Sequence, residues 1–303
     1  MNRNDRVFPT VRIAGGRKMA ESGKKKTGLV LEGGGTRGIY TAGILDVFME
    51  EGIHFDGVIG VSAGAIHGSS FVSGQKGRSI RYYKKYCNDR RFMSFHNLIT
   101  TGDIAGVDFC YHELPEKLDP YDYQTFLESG TEFYVGCSNV DTGKAEYIRI
   151  TDMKNQIAFV QASASLPYVS RIVTAEGMKL LDGGCTDSIP LRAFLKMGFK
   201  KNVVILTREK GYRKSPEHAR MAKLFYFRYP AFVRSLSRRH LTYNRTVEWI
   251  DRLEEQGKIL VIRPEHSLNI GRMEHDPEEL QRVYDIGRAD GIRYLNAVKK
   301  WLG

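Results

Sequence analysis

Three short stretches of this chain carry residue types and spacings that can do chemistry. The pentapeptide GVSAG, Gly60 to Gly64, sets Ser62 between two glycines behind an apolar run. A G-x-S-x-G at a sharp strand-to-helix turn strains the serine backbone outward, and Gly60 and Gly64 keep a Cβ from colliding across the turn. Ser62 is therefore a candidate nucleophile, and a hydroxyl needs a base to act as one. KLLDGG, Lys179 to Gly184, offers Asp182 at the end of a short strand, with Gly183 and Gly184 leaving room beside its carboxylate. Read by itself it is an ordinary Asp-Gly turn. Acyl transfer also needs preorganised donors for an oxyanion. GLVLEGGGTRG, Gly28 to Gly38, supplies the backbone N–H groups of its triple glycine, Gly33 to Gly35, next to the positive end of a helix expected to begin near Arg37.

Two other uses of the glycine turn fit less well. Gly33, Gly35 and Gly38 match G-x-G-x-x-G, but the acid that would hold a ribose, Asp56, precedes the apolar VIGV and so lies at the opposite end of the second strand. No Gly-Lys-Ser/Thr follows, so a Walker phosphate loop also fails. The base has a rival reading. The order Ser62, Asp182, then a late histidine (His218, His240, His266 or His275) fits an α/β-hydrolase triad. His240 reads as a packed residue, and His67 stands five positions beyond Ser62, the wrong spacing to face it.

The elements that must position these residues alternate between strand and helix, which argues for an α/β fold with a largely parallel sheet. Strands are expected at 27–31, 55–61, 132–137, 145–150, 178–181, 202–206 and 259–262, with helices over 37–51 and from about 63. The first two strands end on one edge of a parallel sheet, where the glycine turn and Ser62 should meet. The last helix is punctuated by Asp276 as cap, Pro277 at the first position and Glu279 completing a capping box. From Pro230 to Gln256 one helix is expected, with Arg234, Arg238, Arg245 and Arg252 on one side and Leu236, His240, Tyr243, Val247 and Ile250 on the other.

The net charge of +11 is unevenly spread. Residues 1–26 hold eight Lys/Arg against two acids and read as a mobile basic arm; residues 208–245 hold eleven against two. The remainder is mildly acidic, which together with the absence of a binding motif argues against nucleic acid as a partner. No apolar run approaches the roughly 20 residues of a membrane-spanning helix, and the N-terminus lacks the apolar core of a secretory signal, so a cytoplasmic location is expected. Cys87, Cys110, Cys137 and Cys185 are far apart and read as reduced thiols, without metal-ligand spacing.

GGGTRG, GVSAG and DGG, in this order and at these separations, resemble the patatin-like phospholipase family. The resemblance covers about Thr27 to Thr207, and residues 208–303 are similar to the helical C-terminal extension of a bacterial cytosolic subgroup. It implies a three-layer α/β/α fold with a mostly parallel central sheet, a Ser62–Asp182 dyad without histidine, and an oxyanion hole formed by the backbone of Gly33, Gly34, Gly35 and Arg37. It implies no metal and no organic cofactor. The activity implied is that of a serine lipid acyl hydrolase, of phospholipase A or carboxylesterase type, working through an acyl-enzyme. Arg37 then either pins its loop to a carbonyl or faces a lipid phosphate. The basic stretch 208–252 suits peripheral contact with anionic membrane lipid at the inner membrane surface, and AKLFYFRYPAF, Ala222 to Phe232, is placed to cover the site or touch acyl chains. The competing class is a non-catalytic lipid- or anion-binding protein that keeps the glycine turn for binding.

Overall fold

Apolar residues alternate between two faces along the central strands, and the layers follow from that alternation. The computed structural model describes residues 25–216 and 219–303; His218 and nearly all of the basic arm lie outside them. Among the described residues one sheet holds eight strands: β1 (Lys26–Leu31), β2 (Gly57–Val61), β3 (Glu132–Asn139), β4 (Lys144–Ile150), β5 (Val173–Ala175), β6 (Met178–Asp182), β7 (Phe199–Ile205) and β8 (Leu260–Ile262). The order is β5-β6-β3-β2-β1-β7-β8, with β4 also on β3. The β3-β2-β1-β7-β8 portion is parallel throughout, whereas β4 and β6 run antiparallel to β3, and β5 to β6.

Leu29, Leu31, Val58, Phe133, Val135, Val203 and Ile205 face helices Gly38–Glu50, Ala63–Val72 and Pro277–Leu302. Val30, Ile59, Tyr134, Val204 and Val261 face the opposite way, onto helices Leu191–Lys196 and Arg239–Glu255. Helices cover both faces, so the fold is a three-layer α/β/α sandwich, and β2 is buried along its whole length as a central parallel strand must be.

Residues 208–303 are built into this sandwich. They contribute β8 to the sheet edge beside β7, and their last helix lies so close to Gly38–Glu50 that a Cβ at Gly287 would stand 2.0 Å from Tyr40 O. Tyr40 and Tyr284 donate across this contact to Asp290 and Asp46, each at 2.6 Å. The basic arm also ends differently from expectation: Lys26 opens β1, and its ammonium pairs with Glu132 at 2.6 Å.

Two further expectations are corrected. The helix expected over Pro230 to Gln256 is two helices, Pro230–Ser237 and Arg239–Glu255, broken at Arg238 (φ −107°, ψ 4°). The halves serve different cores: Phe232, Val233 and Leu236 pack with Val140, Leu181 and Cys185, while Tyr243, Val247 and Ile250 lie under the sheet. One straight helix cannot reach both. At the last helix Asp276 accepts from the N–H of Glu278, but Glu279 turns to Arg282. The capping box stays open because the Asp276 N–H donates to Glu274 instead.

Candidate active site

Ser62 sits between β2 and helix Ala63–Val72 at φ 55°, ψ −125°, a backbone region that costs a side-chain-bearing residue about 1–3 kcal/mol and persists only where its surroundings enforce it. The enforcement is visible. A Cβ at Gly60 would stand 2.4 Å from Gly64 O, and one at Gly64 would stand 2.6 Å from Leu31 O, so only glycine lets the turn close against the end of β1. The Ser62 N–H donates to Ser163 Oγ at 2.8 Å, and that hydroxyl donates on to Gly136 O at 2.7 Å; Ser163 is completely buried. Nothing in the spacing of the motifs pointed to Ser163.

Asp182 reaches Ser62 through β3. β2 occupies one edge of β3 and ends where Val61 pairs with Gly136. Since β4 fills the other edge, β6 continues along the edge that β2 has vacated, pairing Asp182 with Cys137, the next residue. The residue after β2 and the last residue of β6 therefore meet end to end. Gly183 makes the approach possible, because a Cβ there would lie 2.2 Å from Gly136 O, and one at Gly184 would crowd Asp182 Oδ1 at 2.9 Å.

The Asp182 carboxyl accepts the Gly184 N–H on Oδ1 at 2.7 Å. Burial pushes its pKa above the ordinary carboxylate range; the Ser62 hydroxyl, the Gly184 N–H and the cations Arg239 and Lys214 oppose that shift. The Ser62 hydroxyl thus lies within the carboxyl's reach, yet no hydrogen bond of ordinary length and angle closes between them and Oδ2 is unpartnered.

The glycine turn is pinned at both ends. Gly33, expected among the oxyanion donors, spends its N–H on Ser188 O at 3.2 Å, and Thr36 gives both its N–H and its hydroxyl to Arg272 O. Between these anchors lie Gly34 and Gly35, the latter at φ 57°. Gly38 packs where a Cβ would meet Ala63 Cβ at 2.6 Å, holding the two helix starts together. Beneath the turn, buried Glu32 accepts from Thr207 N–H at 2.6 Å and from Tyr243 O–H at 2.8 Å. It joins the ends of β1 and β7 to the helix Arg239–Glu255, a role the sequence did not signal.

Ser62 opens onto two cavities of opposite character. One is largely apolar, lined by Ile66, Tyr82, Phe92, Leu114, Met153 and Val160 among others. The other, of about 300 Å³, holds Asp182, Gly33, Gly34 and Gly35 together with Arg37, Arg208, Lys214, Arg239 and Arg272. Gly35, Ser62, Leu166 and Arg272 line both. None of His67, His240, His266 or His275 lines either cavity. His67 is wholly buried against Ser79 and held neutral, its pKa pushed down to about 3 by burial; His275 engages Cys87 O, and His266 stands exposed beside Glu265.

Fold and site together define an α/β protein with a serine elbow on a mostly parallel sheet. The chain belongs to the patatin-like phospholipase family, whose profile matches residues 29–195. A domain of unknown function (DUF6363) matches residues 229–303. The chain is 30% identical to the uncharacterized protein YjjU of Escherichia coli (strain K12), over 90% of this chain and 78% of YjjU. It is also 28% identical to Lysophospholipase nte1 of Aspergillus oryzae, over 57% of this chain but only 11% of that much longer protein. Among solved structures it resembles VipD from Legionella pneumophila, with a TM-score of 0.46 at 14% identity over 90% of this chain and 67% of VipD.

Proposed function

We propose that this protein is a serine lipid acyl hydrolase acting on carboxylic esters through a Ser62–Asp182 dyad. The observation that carries the reading is the place of Ser62, strained outward where an apolar cavity meets the cavity that holds Asp182. Asp182 Oδ2 takes the hydroxyl proton as Ser62 Oγ attacks the ester carbonyl. The N–H groups of Gly34 and Gly35, at the short 3-10 turn Gly35–Arg37 that leads into helix Gly38–Glu50, hold the oxyanion while Gly33 serves as an anchor. The alcohol leaves with a proton returned from Asp182, and water, deprotonated by the same carboxylate, releases the acid. The names of the lysophospholipase relatives support a lipid ester as the substrate class. The test is labelling by a fluorophosphonate, mapped by mass, alongside hydrolysis of a lipid ester. Labelling at Ser62 and loss of turnover in Ser62→Ala are expected; turnover that survives Ser62→Ala overturns the reading in favour of another nucleophile, and a folded protein that neither labels nor turns over favours a binding protein.

The same reading includes peripheral contact with an anionic bilayer. Met221, Leu224, Phe225 and Phe227 are exposed, and Arg220, Lys223 and Arg228 stand among them in an exposed segment. Apolar side chains ringed by cations match a lipid surface of negative charge. The patch borders the site: the Phe225 ring packs on Tyr168 at 5.4 Å, and Tyr226 O–H accepts the Tyr168 N–H, two residues from Leu166.

A further inference from the structure

An ester carbonyl held at Ser62 sends its acyl chain and its alcohol in opposite directions. The apolar cavity takes the chain, so the alcohol falls into the second cavity, whose described lining holds more cations than carboxylates. Five cations line that chamber, Arg37, Arg208, Lys214, Arg239 and Arg272, against the carboxylates of Glu32 and Asp182. Glu32 is already committed to Thr207 and Tyr243, and Asp182 is reserved for the serine. Among the described residues no carboxylate pairs with Arg37, Arg208 or Arg272. Arg208 stacks instead on the Tyr212 ring, 4.2 Å from its centroid, and Arg37 Nε is buried without a hydrogen-bond partner. Burial disfavours the Arg37 charge first, and Arg208 and Arg272 disfavour it further while Glu32 relieves it in part. Guanidiniums from three separate segments, gathered against their own repulsion, suit an anion with several oxygens, because each fork can take two of them.

We propose, building on the hydrolase reading, that this chamber selects acyl esters whose alcohol carries a phosphate with no cation of its own in the head group. A glycerophosphate or phosphoglycerol ester satisfies the chamber. A choline or ethanolamine head group brings a further positive charge beside these arginines, and a neutral glycerol leaves Arg37, Arg208 and Arg272 without a carboxylate or phosphate among the described residues.

The test compares three esters of one acyl chain in neutral detergent micelles: monoacylglycerol, monoacyl-glycerophosphate and monoacyl-glycerophosphocholine, with the full-length protein. The expected result is a kcat/KM for the glycerophosphate ester at least about tenfold above the other two, a preference that Arg208→Gln and Arg272→Gln each reduce by roughly tenfold. Arg208→Lys, which keeps the charge but loses the fork, should retain only part of it, and thermal scans of all three variants should match the wild type. A preference under about twofold, or one that survives both Gln substitutions, overturns the proposal. If free phosphate is what the chamber takes, millimolar inorganic phosphate blocks the neutral ester and the three esters turn over alike, which also overturns it. Turnover persisting in Ser62→Ala removes Ser62 as the nucleophile instead. The chamber is then judged by binding: Ser62→Ala protein that holds the glycerophosphate ester no better than monoacylglycerol ends the proposal.

Discussion

Replacing Ser163 with alanine should loosen the elbow although Ser163 touches no substrate. Its hydroxyl accepts the Ser62 N–H at 2.8 Å and donates to Gly136 O at 2.7 Å in a position closed to water. Deleting the hydroxyl leaves one buried donor and one buried acceptor unpaired, each costing about 1–3 kcal/mol, or about 2–6 kcal/mol together. The Ser62 backbone also holds about 1–3 kcal/mol of strain that this bond helps to restrain. Each kcal/mol moves the Tm of a chain of this order of size by about 2–4 °C, so Ser163→Ala should lower Tm by at least about 4 °C. Relaxation of the turn displaces Oγ, and a shift on the order of 1 Å costs about a hundredfold in rate. The assay is thermal unfolding together with the rate of fluorophosphonate labelling at Ser62. Ser165→Ala is the comparison, since that hydroxyl bonds only the Gln161 carbonyl one turn back. If Ser163→Ala matches Ser165→Ala in both Tm and labelling rate, the elbow is not held through Ser163 and the reasoning fails.

Asp182→Asn should cut kcat by about 10²–10⁴, measured on a lipid ester, because the amide cannot accept the proton. In the wild type the base must be ionised, so the acid limb of kcat/KM should lie above pH 3.8, raised by burial. Stability moves the opposite way. A carboxyl whose folded pKa is raised binds its proton more tightly in the folded state, so its contribution is favourable at pH below 3.8 and is lost as pH rises through the raised value. Asp182→Asn should accordingly be more stable than the wild type at pH 7, with the gap closing in acid; a Tm at pH 7 below wild type would count against this. Gly287→Ala puts a methyl 2.0 Å from Tyr40 O and should destabilise the protein by about 1–3 kcal/mol or more in urea unfolding. An unchanged midpoint would mean the last helix can slide. Sedimentation with anionic vesicles should recover the protein at low salt and release it at high salt, and Phe225→Ser with Phe227→Ser should weaken the binding. Equal recovery with neutral vesicles would refute contact through charge.

The elements that position the site were legible in the sequence wherever local chemistry decides them. Apolar β2 followed by G-x-S-x-G can only turn sharply into a helix, and three glycines after β1 leave backbone exposed at the same sheet edge. The strand carrying Asp182 was readable as well, since KLLDGG is short, apolar and abruptly ended. What the sequence could not contain is adjacency. Asp182 lies beside Ser62 because β6 takes over the edge of β3 that β2 leaves free, a consequence of strand pairing across many intervening residues. Ser163 and Glu32 have no motif around them; each matters through one or two hydrogen bonds to residues remote in the chain. Arg238 interrupts a pattern that reads as one continuous amphipathic helix, because two separate cores compete for its halves. Local residue types thus determined the sharp turn at Ser62 and its glycine-rich neighbour. The tertiary structure alone decided which cations gather in one chamber, since Arg37, Arg208 and Arg272 become neighbours only when the sheet edge and the C-terminal residues close over the same serine.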